Sequence, residues 1–234
     1  MKDAIETMQG ANDVQAHIVY TDDPMNPRLT CDNVCTMWCW HRRYTLGDKH
    51  KHDDLTAAVV ELWQDYSTED ERKQFVQDWM KSLPLKEVKK YCNRIDLMMF
   101  DKQDRFHHLF EGLLYAKRFI TEIRLPSRIH WLPLFLYDHS GISISTGSFG
   151  CRWDSGLVGF IWTADETARN EWLESEVATY DQYLRGDQYD VIVKHGGEVI
   201  AVNGPHWTIE DARFEATQVL EIEQEEETKW TMML

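Results

Sequence analysis

Two stretches of this 234-residue chain set reactive polar side chains among aromatics: Trp38–His50, reading WCWHRRYTLGDKH, and Tyr137–Trp162, reading YDHSGISISTGSFGCRWDSGLVGFIW. Solvated loops rarely hold so many Trp, Tyr, Phe and Cys, and core strands rarely hold His, Arg, Asp and Ser beside them. The combination points to a half-buried polar pocket. His41, Asp48, His139, Cys151 and Asp154 are the catalytic candidates: a thiol nucleophile, imidazole bases and carboxylates to orient them. Against catalysis, Asp138, Ser140, Asp154 and Ser155 are ordinary turn formers, and no G-x-S-x-G, H-E-x-x-H or P-loop pattern is present.

Ligand capture without chemistry is the second reading. Trp38, Trp40, Arg42, Arg43 and Tyr44, with Tyr137, Ser140 and Trp153, combine guanidinium groups for phosphate with rings for a base, as a nucleotide-like small molecule requires. On a regular strand, alternation sends Arg42 and Arg43 to opposite faces, so they cooperate only if the strand is bulged. A third reading is metal. Cys31, Cys35, Cys39 and His41 form C-x3-C-x3-C-x-H, a spacing that fits no common structural zinc unit, so no metal and no cofactor is expected.

The two stretches carry a resemblance. The chain resembles a family of phage- and plasmid-encoded accessory proteins of unassigned function, through D-N-x-x-T-M-x-C-x-H-R-R-Y-x-L-G-D at Asp32–Asp48 and Y-D-H-S-G-I…C-x-W-D-S-G-x-V-G-F-I at Tyr137–Ile161. The YDQYLRG run at Tyr180–Gly186 is similar too. The chain departs from the pattern after its last strand, reading NGPHWTIEDARFEA in place of a cysteine-containing Trp-Gly-rich segment. The resemblance implies a mobile-element origin and a role in binding and modulating a host factor, as an antagonist of host defence. The alternative is a small hydrolase or transferase, or a nucleotide-binding protein, using the His/Asp/Cys/Arg pocket.

Charge restricts the partners. The net charge is −15, and residues 151–234 alone hold 6 Lys/Arg against 18 Asp/Glu. An acidic C-terminal third repels a phosphate backbone, which argues against duplex nucleic acid as a direct partner. Glu221, Glu223, Glu225, Glu226 and Glu227 suit a host protein with a basic surface instead. Five cysteines, no leader-like start and no apolar run of about 20 residues are the pattern expected of a protein in the host cytoplasm, without a membrane span.

Positioning these groups falls to an α+β fold, with a mixed or antiparallel sheet and packed helices. It is expected as one domain over residues 1–234, with a helical insertion at about 52–125 and an acidic C-terminal helix or tail at about 208–234. Strands are expected at Ala16–Tyr20, Thr36–Tyr44, Ile129–Tyr137, Gly141–Thr146 and Leu157–Trp162, and a hairpin around His195–Gly197. Leu55, Val59, Leu62, Trp63 and Tyr66 recur at helical spacing behind Asp53 and Asp54. Thr68 with Glu71 reads as a capping box for the next helix, and 85–123 continues the helical pattern. Ala164–Leu184 reads as a helix stopped by Gly186, and Thr208 caps a last one.

Overall fold

A computed structural model describes residues 3–82, 125–151 and 153–233, and the backbone alone for residues 76, 79, 80, 82 and 223–233. The helical pattern expected over 85–123 lies outside the described residues. Among those described, the strands are β1 (Glu6–Gln9), β2 (Val14–Tyr20), β3 (Thr36–Cys39), β4 (His130–Asp138), β5 (Ile142–Ser145), β6 (Ser155–Thr163), β7 (Tyr189–His195) and β8 (Glu198–His206). The helices are α1 (Pro27–Thr30), α2 (Leu55–Tyr66), α3 (Glu69–Ser82), α4 (Asn170–Arg185) and α5 (Ile209–Met233). Two antiparallel four-stranded sheets result, in the orders β1-β2-β7-β8 and β3-β6-β4-β5, and the fold is α+β.

The chain gathers into two compact units. The first is Met1–Asn33, Phe135–Gly156 and Ser175–Leu234; the second is Val34–Leu134 and Leu157–Glu174. In the first, α5 lies across one face of the β1-β2-β7-β8 sheet. Ala212, Ala216 and Leu220 meet Val14, Ala16, Ile18, Val191 and Val193, and the alanines let the helix approach closely. Gly196 and Gly197, at φ 58° and 86°, close the β7–β8 hairpin with the paired positive φ values of a type I′ turn.

The second unit is built on α2. Its Val59, Leu62 and Trp63, at the expected spacing, join Phe75 of α3 and Phe160 and Trp162 of β6 in one core, with Trp38 and Trp40 packed against it. Asp54 caps α2, its carboxylate accepting from Ala57 N at 2.8 Å. The capping box before α3 forms as the sequence indicates: Thr68 N donates to Glu71 Oε2 at 2.8 Å and Glu71 N to Thr68 Oγ1 at 3.2 Å.

Ser127 also donates to Glu71, through its hydroxyl and its backbone N–H, tying the helix start to the segment that leads into β4. The hydroxyl of Ser127, then the N–H of Thr68, pull the Glu71 carboxyl down to about 2. A carboxyl depressed on folding stabilises the protein fully above its unfolded pKa of about 4.5, and that contribution is lost as pH falls toward 2. Glu71→Gln is therefore expected to cost about 1 kcal/mol at pH 7, after solvent screening. Urea unfolding of wild type and variant should show the gap closing between pH 4.5 and pH 2.

Two local expectations differ. The strand expected to reach Tyr44 ends at Cys39, because Asp48 draws the chain back onto β3. The helix expected from Ala164 starts at Asn170, because the Asp165 carboxylate accepts from both Thr167 N at 2.8 Å and Thr167 Oγ1 at 2.7 Å, an alternative to helical pairing. In the Pro-rich loop after β2, Asn26 caps a single turn whose first residue is Pro27, its carboxamide accepting from Arg28 N at 2.9 Å. The short polar strand β1 carries no alternation of apolar residues to announce it.

Candidate functional site

The first motif makes its site by folding back on itself. β3 pairs with β6 from Thr36↔Trp162 to Cys39↔Gly159, and Trp40 N adds one more bond to Val158 O at 2.7 Å. The chain then bends at Arg42 and Arg43, runs back and pairs Gly47 with Trp38. Asp48 locks the return: its N–H donates to Met37 O and its carboxylate accepts from Met37 N, both at 2.7 Å. Residues 40–53 thereby wall a cleft of about 690 Å³, within the range of small-molecule sites.

Five of the sequence candidates, Trp40, His41, Arg42, Tyr44 and Asp48, line this cleft. The bend gives Arg42 and Arg43 exposed positions that a regular strand would have split between two faces. The ring of Tyr44 lies nearly parallel to His41, with centroids 5.0 Å apart, and the Arg43 guanidinium sits 5.4 Å from its centroid. His41 Nδ1 accepts from Arg43 N at 3.4 Å. Asp48 and His41 thus each have a place in holding the loop.

Lys49, His50, His52 and Asp53 are not among the residues the sequence singles out as a site. All four lie on this region, Lys49, His50 and Asp53 in the cleft itself. The alternating K-H-K-H at residues 49–52 was the signal available. His50 faces Cys39 O at 3.0 Å through Nε2, so Nε2 carries the proton, and its Nδ1 is buried without a hydrogen-bond partner. Its ring packs 4.6 Å from Trp40, whose Nε1 donates to His52 O at 3.1 Å.

A second hollow, of about 390 Å³, adjoins the same Lys49 and His50 and is lined by Trp38, Lys51, His52 and Glu61. Burial pushes His52 below the ordinary histidine value, against the opposing pull of Glu61 3.9 Å away, so its ring is neutral at pH 7. Lys51 pairs with Glu61 at 2.9 Å, which raises its pKa and keeps it charged.

Residues 137–156 of the second motif belong to the other unit, while its end, 157–161, lies in β6 and pairs with β3. Asp138–Gly141 turns β4 into β5, with Ser140 at φ 55° and its hydroxyl donating to His139 O at 2.7 Å. Cys151 Sγ donates to Asp154 Oδ2 at 3.3 Å, and His139 Nδ1 lies 3.5 Å from the same oxygen. These three candidates do come together, but a carboxylate, not an imidazole, is the base next to the thiol. Tyr137 packs against Phe149 with ring centroids 5.5 Å apart, and Trp153 is 95% exposed. His41 and Asp48 belong to one unit; His139, Cys151 and Asp154 belong to the other.

Among the described residues, no group of three or more His, Cys, Asp and Glu is arranged to hold a metal ion; Cys35 and Cys39 are buried and Cys31 is exposed. No described helix is long and apolar enough to cross a membrane. Glu221 is exposed on α5, while the side chains of Glu223, Glu225, Glu226 and Glu227 lie outside the described residues. In comparison with known proteins, the chain matches no family model, no curated protein and no solved structure.

Proposed function

We propose that this is a phage-type accessory protein that captures a nucleotide-like small molecule in the cleft walled by residues 40–53. One observation carries the reading. In a chain of net charge −15, this cleft puts Arg42 and Lys49, matched in number by Asp48 and Asp53, beside the rings of Trp40 and Tyr44. Cations fix phosphate and rings stack on a base, and neither group requires chemistry to follow. Binding is favoured over hydrolysis or transfer because Asp48 and His41 are used in shaping the loop.

The host-protein reading rests on the acidic C-terminal helix. A helical backbone turns by about 100° per residue, which spreads positions 221, 223, 225, 226 and 227 round the axis of α5 and gives no single acidic face. The cleft is the more defined feature. Capture of a small molecule is also a means by which such a protein would modulate a host factor, by withdrawing that factor's ligand.

Titration calorimetry with nucleoside 5′-monophosphates tests the proposal. Arg42→Ala and Lys49→Ala are each expected to weaken binding about tenfold, the worth of one charge-assisted hydrogen bond. Both side chains are exposed, so melting temperatures should stay within about 2 °C of wild type. Failure of all four monophosphates to bind at millimolar concentration would overturn the reading.

A further inference from the structure

The two hollows share Lys49 and His50, and each has an aromatic of β3's direction on its wall: Trp40 in the larger, Trp38 in the smaller. Resting on the nucleotide reading above, we infer that they are two lobes of one site, and that its ligand is a dinucleotide whose bases are splayed to either side of His50.

The spacing argues for it. Residues two apart on an extended chain are separated by about 6.7 Å, twice the 3.4 Å between stacked bases in one strand. A ring fills the gap: His50 lies 4.6 Å from Trp40 and 6.2 Å from Trp38. Its Nε2 is held by the carbonyl of Cys39, so the partition is fixed and two bases cannot stack on each other across it. Lys49 is common to both lobes, where the phosphate linking two nucleosides has to pass. Lys51 stands on the far lobe, with its side chain 77% exposed.

A mononucleotide fills one lobe and leaves the other empty. Each hollow exceeds the roughly 300 Å³ at which small-molecule sites begin. The chemistry of the second lobe suits a base as well. The ring of His52, neutral at pH 7, lies 4.7 Å from Trp38, and the Glu61 carboxylate at its rim accepts hydrogen bonds from exocyclic amino groups.

The test is calorimetry on the full chain with AMP, the linear dinucleotide pApA and the hexanucleotide (pA)6 at one ionic strength. pApA is expected to bind at least about tenfold more tightly than AMP, one ligand per chain, since a second stacked base contributes about that factor. In Lys51→Glu the ratio of the two affinities should fall toward one, while melting shows the fold retained, the exposed Lys51–Glu61 pair contributing little to stability. Equal affinity for AMP and pApA would overturn the two-lobed site and leave mononucleotide capture standing. No binding of any of the three removes both. Binding of (pA)6 about tenfold tighter than pApA would overturn the dinucleotide in favour of single-stranded nucleic acid.

Discussion

Gly47→Ala is expected to destabilise the protein by about 3 kcal/mol and to abolish ligand binding with it. Gly47 sits at φ +67°, a conformation that costs an L-residue about 1–2 kcal/mol. A Cβ there would also lie 2.5 Å from the carbonyl oxygen of Met37, which belongs to β3 and accepts from Asp48 N. Nothing flexible is available to give way. Relieving the contact means lifting the return of the loop off β3, which opens the Gly47–Trp38 bridge and releases the wall carrying Lys49 and His50. Gly141→Ala is the matched control: nothing lies within 4 Å of its Cβ position, and its φ is not in the left-handed range. Thermal melting should separate the two, with a fall of roughly 6–12 °C for Gly47→Ala and less than about 2 °C for Gly141→Ala.

The other large effect is expected in the first unit. Arg28 follows Pro27 in α1, and its side chain is only 2% exposed. Its Nη1 donates to Glu176 Oε2 of α4 at 2.6 Å and to Asn33 Oδ1 at 3.0 Å, while Asn33 Nδ2 holds the carbonyls of Pro27 and Cys31, each at 2.9 Å. Desolvating a guanidinium costs several kcal/mol, offset here by a close carboxylate and a shared amide. Glu176→Ala removes this close carboxylate from a buried cation, so a loss of about 3 kcal/mol is expected in urea unfolding. Arg28→Met combined with Glu176→Leu removes both charges. The double variant should recover most of that loss, and a double variant as unstable as Glu176→Ala would show that the ion pair is not what the site depends on.

What the sequence made legible was local. The capping residues Asp54 and Thr68, the spacing of Leu55, Val59, Leu62 and Trp63 in α2, and the Gly196–Gly197 turn each depend on neighbours a few residues away. The antiparallel β4–β5 and β7–β8 pairs followed from their turns. The return of residues 44–48 onto β3 was not legible, because β-compatible residues such as Thr45 and Tyr44 give no sign that an aspartate eleven positions on will take the amide of Met37. For the same reason the site was half seen. Trp40, His41, Arg42, Tyr44 and Asp48 announced themselves by their density, whereas Lys49 and His50 gain their place only once the loop has closed. In the second motif the order of contact differs from the expected one: Asp154 stands between the imidazole of His139 and the thiol of Cys151.

The interleaving of the two units bears on how the chain is made. All segments of the second unit have been synthesised once residue 174 has left the ribosome. The first unit begins with β1 and β2 but cannot close until α5 follows, because Ala212, Ala216 and Leu220 are what cover Val14, Ala16 and Ile18. These two strands thus emerge well before the helix that shields them. During synthesis they present an apolar surface for which α5 is the natural cover, and a nascent chain stalled before residue 209 would keep that surface exposed to chaperones and to other nascent chains.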